Sequence, residues 1–312
     1  MLNYDVLSRK PLNFRSFTGL EVPEFDSVYA RLLEVIPITE EKRLWREDRR
    51  NRIGAGHPFK LQLRDRLLML LVYYRLYVTS TLAGFLFDLG QSNVLKNIRM
   101  LEPAVKMILP LPRKLHDRAR RLRMLDEVEE VFPGFRAYLD ATEQEIPGPR
   151  DNEKRRTHYS GKARQHTVKT QVTVNRSGLI VHKTRHAAGR RHDYDVYKGS
   201  HPHLPKEVRP GVDLGYDGIR RDYPDLLVDV PFKRRSPGRG KKGVKAEPLT
   251  PEQRTHNKAL SRVRVVVEHT ISRLKKHRIM GEEFRNRLRH YDAATDIVSG
   301  LVNLRILGSL AV

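Results

Sequence analysis

Apolar residues recur at helical spacing through the first third of the chain, then alternate, then return to helical spacing near the C-terminal end. Thr18-Gly-Leu-Glu21 reads as a capping box ahead of Phe25, Val28, Leu32, Leu33 and Ile36, which share a helical face that Pro37 is expected to stop. A polar, basic link follows from Glu40 to Pro58, with Gly54-Ala-Gly56 inside it. Leu61 to Tyr77 predicts a long apolar helix and Thr79 to Phe87 a short one. Gly90 can supply a tight turn, and Ser92 can cap a third helix over Asn93 to Leu101.

Two short helices around a glycine-bearing turn have the form of a helix-turn-helix, although an ordinary helical hairpin has the same pattern. In the helix-turn-helix reading, Gln91, Ser92, Asn93 and Lys96 are the exposed positions that would meet bases and phosphates.

Beyond Pro133 the period becomes two. Phe135 to Asp140 predicts a strand that ends on a carboxylate. Thr167–Val174 and Leu179–Thr184 alternate on either side of the turn Asn175-Arg-Ser-Gly178 and predict a hairpin. His192-Asp193 opens a short helix, with Asp193 suited to capping it. Val212-Asp213-Leu-Gly215-Tyr216 predicts a strand end running into a turn, and Leu226–Phe232 one more short strand. Residues 233–247 are rich in Lys, Arg, Gly and Pro and read as a basic loop.

Pro251 starts the last predicted helix of this part. At about 100° per residue, Leu260, Val263, Val267, Ile271 and Leu274 form one apolar stripe, with Arg264, Glu268 and Lys275 along a margin. Arg four residues before Glu is the weaker order for helix support. An acidic ligand beside phosphate-binding cations is the sharper reading of that margin.

Composition then narrows the partner. The 312 residues carry 60 Lys+Arg against 37 Asp+Glu, a formal charge of +23. Such an excess attracts polyanions, nucleic acid first among them, and its spread along the chain argues against one amphipathic membrane-binding face. The absence of cysteine excludes disulfides, cysteine-based zinc sites and thiol nucleophiles. The first residues lack the pattern of a signal peptide, and the longest apolar run, Leu67 to Tyr74, is too short to span a bilayer. A soluble, cytoplasmic protein, nucleoid-associated when on DNA, is expected.

Asp140 and Asp213 at strand ends and Glu268 on a later helix form an ordered set of carboxylates. Such a set can hold two Mg²⁺ or Mn²⁺ ions about 4 Å apart, activate a water or a 3′-hydroxyl, and stabilise the leaving oxygen of a phosphodiester. Asp217 is a rival to Asp213, and Glu143 is an outer-sphere candidate.

The sequence resembles DDE transposases of the IS5 type, in the group related to PIF/Harbinger. The likeness covers Phe14-Arg-Ser-Phe-Thr-Gly-Leu20 with Glu24-Phe-Asp26, Leu63 through Val94, and Tyr159-Ser-Gly-Lys-Ala-Arg-Gln-His-Thr-Val-Lys-Thr-Gln171. It continues through His192-Asp193, Asp213-Leu-Gly-Tyr216 and Arg264-x3-Glu268-x6-Lys275. Ser261 departs from the signature, which usually has Tyr three residues before the Arg.

This resemblance implies an α/β fold: an RNase H-like catalytic core of mixed sheet and flanking helices, preceded by an all-α region with a helix-turn-helix. The expected division is 1–58 as an N-terminal helical segment and linker, 59–132 as the DNA-binding domain, and 133–312 as the catalytic domain. Asp140, Asp213 and Glu268 are the implied catalytic and metal-binding triad, with Asp193 as an accessory acid. Lys162, His166, Lys169, Arg264 and Lys275 are expected to contact DNA. The partners are then the element's terminal inverted repeats and target DNA, engaged by a homodimer or higher multimer. Two alternatives remain open at this point: an inactive transposase-derived DNA-binding protein, and a host endonuclease with the same core.

Overall fold

A computed structural model describes residues 1–234 and 247–310, and these divide into two compact units. The first joins Met1–Leu111 with Arg273–Val312, and the second is Pro112–Ser272. The expected basic loop lies almost wholly outside the described residues. Among those described, no helix is long and apolar enough to cross a membrane.

The first unit begins with helices α1 (Tyr4–Ser8), α2 (Pro11–Thr18), α3 (Val22–Leu44), α4 (Leu63–Leu76), α5 (Ser80–Phe87) and α6 (Gln91–Ile108). Its centre is α4, in which every side chain from Arg66 to Tyr74 is buried, as the unbroken apolar run requires. Two details of the sequence reading shift. The capping box is formed by Glu21 and Glu24, whose carboxylate accepts from Glu21 N–H at 2.7 Å, while Thr18 ends α2 with its hydroxyl donating to the Phe14 carbonyl. Pro37 also does not stop α3, which continues to Leu44; the Thr39 hydroxyl donates to the Val35 and Ile36 carbonyls around it.

The second unit contains α7 (Pro112–Ala119), α8 (Leu125–Val131), β1 (Arg136–Glu145), α9 (Asn152–His158), β2 (Tyr159–Ser160), β3 (Gln165–Asn175), β4 (Ile180–Lys183), β5 (Ala187–Ala188), α10 (Asp193–Gly199), β6 (Arg209–Gly211), α11 (Ile219–Asp222) and α12 (Pro251–Lys275) up to Ser272. Among the described residues these strands make one six-stranded mixed sheet. Strand β3 pairs antiparallel with β1, β2, β4 and β5, and β6 lies parallel to the start of β1. The expected strand over Leu226–Phe232 is reduced to a bridge between Gly211 and Asp229, flanked by hydrogen bonds to Pro210 and Val212. Leu139, Tyr197, Val212, Tyr216 and Ile219 form a buried cluster on one side of the sheet.

The chain then returns to the first unit through α13 (Arg278–Gly281) and α14 (Tyr291–Leu310). Asn303 donates to the Pro110 carbonyl, Lys106 pairs with Asp296 at 2.8 Å, and the Arg285 guanidinium lies 4.2 Å from the Tyr77 ring centre. The compact units therefore differ from the three-part division expected from sequence. Their boundaries are set by long-range packing, of α7 on β4 at one and of 273–312 on the first helices at the other, that no local pattern announces.

Candidate active site and nucleic-acid interface

Asp140 lies in the middle of β1 opposite Val172, not at a strand end, because the pairing with β3 continues through Glu145. With a period of two, Arg136, Tyr138 and Asp140 share one face of the sheet, while Leu139 faces the buried cluster. The Asp140 carboxyl is pushed above the usual range, first by burial and then by the charges of Asp213 and Asp193, against which Arg264 and the Ala141 N–H work. Its Oδ1 accepts that N–H at 2.8 Å.

Asp213 follows β6 and caps a tight turn over Leu214–Tyr216, its Oδ1 accepting from the Gly215 N–H at 2.8 Å. The turn carries Tyr216 into the core, where its hydroxyl accepts from the Gln171 amide. Burial, followed by the negative charges of Asp193 and Asp140, drives the Tyr216 phenol far upward and keeps it neutral. Neither Gln171 nor Tyr216 was given a site role from sequence. For Tyr216 the available signal was its place three residues after Asp213. Asp217, the rival ligand, is exposed and lies 3.8 Å from Lys233.

Helix α12 supplies the third acid. Leu260, Val267 and Leu274 are buried as expected, and Thr270 is buried too, its hydroxyl donating to the Gly178 carbonyl. Val263 is a correction to the stripe: it is 44% exposed and lines a cavity instead of packing on the sheet. On the other margin, half-buried Arg264 bears on Asp140, whereas Glu268 and Lys275 are exposed.

Lys169 has a different place from the one expected of a DNA contact. It is buried, 3.3 Å from Glu143 and 2.7 Å from Asp193, and donates to the Arg191 carbonyl. Strand register causes this, since Lys169 stands directly opposite Glu143. Burial alone would raise the Glu143 carboxyl; hydrogen bonds from Ser160 and Thr167, together with Lys169, bring it net below its usual value. Asp193 is the first residue of α10, with His192 before it at the cap position. Lys169 thus bridges Glu143 and Asp193, one ammonium shared between two carboxylates.

The donor chemistry of Asp140 and Asp213 suits a hard divalent ion: each engages Oδ1 with a backbone N–H and keeps a second carboxylate oxygen. Glu268 is not gathered with them. Among the described residues no three His, Asp or Glu side chains stand together as a ready metal cluster.

Lys162 is exposed, and half-buried His166 packs edge-on against Tyr159, their ring centres 5.6 Å apart. Beside them Arg155, Arg156 and Arg190 line an open hollow that sequence reading did not single out. In the first unit Gln91, Ser92, Asn93 and Lys96 are all exposed on the first turns of α6. The expected third helix is longer than its pattern suggested, running through Pro103 to Ile108 with Gly90 at its N-cap. Asp88, with φ 52°, makes the left-handed turn in place of Gly90, and a side-chain carbon on Gly84 would sit 2.5 Å from the Leu89 carbonyl oxygen.

Comparison with known proteins bears on both units. Residues 59–110 match the helix-turn-helix of DDE superfamily endonucleases. A protein described as a "probable transposase for insertion sequence element IS702", from Microchaete diplosiphon, is 29% identical over 263 residues, covering 83% of this chain and 86% of that protein. No solved structure matches. The mixed sheet with flanking helices after a helical, helix-turn-helix-bearing region is consistent with the RNase H-like arrangement. Residues 139–303, more than half of the chain and inclusive of all three acids, match the family described as DDE superfamily endonuclease, and the chain belongs to that family.

Proposed function

We propose that this protein is a DNA transposase that binds the terminal inverted repeats of an insertion sequence, cleaves the phosphodiester at those ends and joins the freed 3′-hydroxyl to target DNA. The observation that carries this reading is the family match enclosing Asp140, Asp213 and Glu268 in one chain with the family's helix-turn-helix. The relative's name and the charge of +23 support the choice of substrate.

In this proposal Asp140 and Asp213 hold Mg²⁺ or Mn²⁺, and Glu268 joins them from α12 when DNA is bound. Bound metal would supply Lewis-acid activation of the attacking oxygen and stabilisation of the leaving one. Arg264 holds charge balance at Asp140, and Lys169 keeps Glu143 and Asp193 from competing for the cation. Gln91, Ser92, Asn93 and Lys96 read the repeat from α6, and Lys162, His166 and Lys275 line the path of the backbone. Multimeric assembly on paired ends belongs to the same proposal.

The test uses purified protein, Mg²⁺ and a labelled duplex taken from the DNA flanking its own reading frame, with a supercoiled plasmid as target. Nicking at the repeat end followed by transfer of label into the plasmid is expected. Cleavage without joining would instead mark a nuclease. End binding with neither reaction would mark an inactive descendant, the reading that Ser261 favours.

A further inference from the structure

We propose that a cavity at the starts of β1 and β6, on the flank of α12 away from the acids, is a second phosphate site, gripping the DNA backbone outside the reaction centre. The cavity measures about 410 Å³ and is lined by Arg136, Arg176, Arg209, Asp229, Tyr138 and His256, among others. Arg136 and Arg209 are direct neighbours across the parallel β1–β6 pairing. Two like charges so placed repel each other. They are held together by Asp229, a buried carboxylate that pairs through Oδ2 with Arg136 and through Oδ1 with Arg209 at 2.7 Å.

Neutralising the one carboxylate needs fewer cations than are present. Three guanidiniums against one carboxylate leave the cavity a formal excess of two positive charges. Each guanidinium has five N–H donors, so the pairs with Asp229 leave Arg136 and Arg209 oriented and still able to donate. His256 adds a buried Nε2 that has no hydrogen-bond partner. An oxyanion satisfies all of these groups at once, and Arg is the side chain best matched to phosphate.

The position favours backbone phosphate. Arg136 precedes Asp140 by four residues on the same face of β1, roughly 13 Å along the strand. Val263 and Ala259 turn one margin of α12 to the cavity, while Arg264 on the other margin bears on Asp140. DNA seated at the acids therefore has phosphates within reach of this second cluster. The inference rests on the DNA-handling reading but concerns a separate site.

Arg176 is exposed, so replacing it leaves the buried Asp229 pairs in place. Binding of a 30-base-pair duplex to the full chain would be followed by fluorescence anisotropy across a salt series for wild type, Arg176→Glu and Arg176→Lys. Inorganic phosphate and a nucleoside monophosphate would serve as competitors at fixed ionic strength. Arg176→Glu should weaken binding about fivefold to tenfold near 0.1 M salt and lower the salt slope by about one, with Arg176→Lys between it and wild type. Wild-type affinity and slope in Arg176→Glu, with an unchanged melting curve, would overturn the proposal. So would saturable binding of free phosphate or nucleotide that depends on Arg176 while DNA affinity does not. If the wild type failed to bind DNA at all, the transposase reading itself would fall.

Discussion

Lys169 and Glu143 stand opposite each other on β3 and β1, and the Lys169 ammonium bridges the Glu143 and Asp193 carboxylates at 3.3 and 2.7 Å. Removing it leaves two shielded carboxylates facing each other. Lys169→Met should therefore lower stability by about 3 kcal/mol at neutral pH, as read by urea unfolding. The deficit should shrink in acid, because protonation relieves the unpaired carboxylates. In the wild type the sign is opposite: the net-lowered Glu143 contributes stability that is complete above the ordinary value of 4.5 and is lost as pH falls. A surface role for Lys169 would instead leave stability unchanged.

The exposed start of α6 separates base reading from phosphate contact. Lys96→Ala should weaken binding to all duplexes alike and lower the salt slope by about one, whereas Asn93→Ala or Gln91→Ala should cost about 1–3 kcal/mol only on the cognate repeat. Competition gel shifts between cognate and scrambled duplexes would check this. Equal losses on both duplexes for all three variants would remove α6 as the reading element.

A buried histidine makes the first unit acid-sensitive. Burial, then the charge of Arg75, lowers His277 to about 3. The folded state therefore binds fewer protons than the unfolded one between that value and 6.5, and stability falls as pH drops through that window. His277→Leu should flatten the dependence of the melting temperature on pH below 6.5, at a cost of about 1 kcal/mol near neutrality. A slope identical to wild type would assign the acid sensitivity elsewhere.

Elements with a strong local period were legible from sequence: α4, the β3–β4 hairpin, α10 and the start of α12 lie where their patterns put them. The helix-turn-helix was legible through its two short helices and intervening turn. What local pattern could not show was pairing at long range. The antiparallel register turned Lys169 from a surface cation into a buried counter-charge, and continued pairing moved Asp140 into mid-strand. Packing of α7 on β4, with His116 against His182, places the boundary at 111/112, and packing of 273–312 on the helical unit adds one at 272/273. Asp229, between two arginines from different strands, had no signature in sequence because its partners lie 93 and 20 residues away.

Asp140, Asp213 and Glu268 as one metal-dependent centre is the central claim, and single alanine replacements test it most directly. Cleavage of the labelled repeat end would be measured with Mg²⁺, and end binding with Ca²⁺, for wild type and each variant. The expected result is at least a thousandfold loss of cleavage in all three, about 4 kcal/mol in transition-state stabilisation, with binding kept. If Glu268→Ala cleaves at the wild-type rate while Asp140→Ala and Asp213→Ala do not, the triad assignment is contradicted.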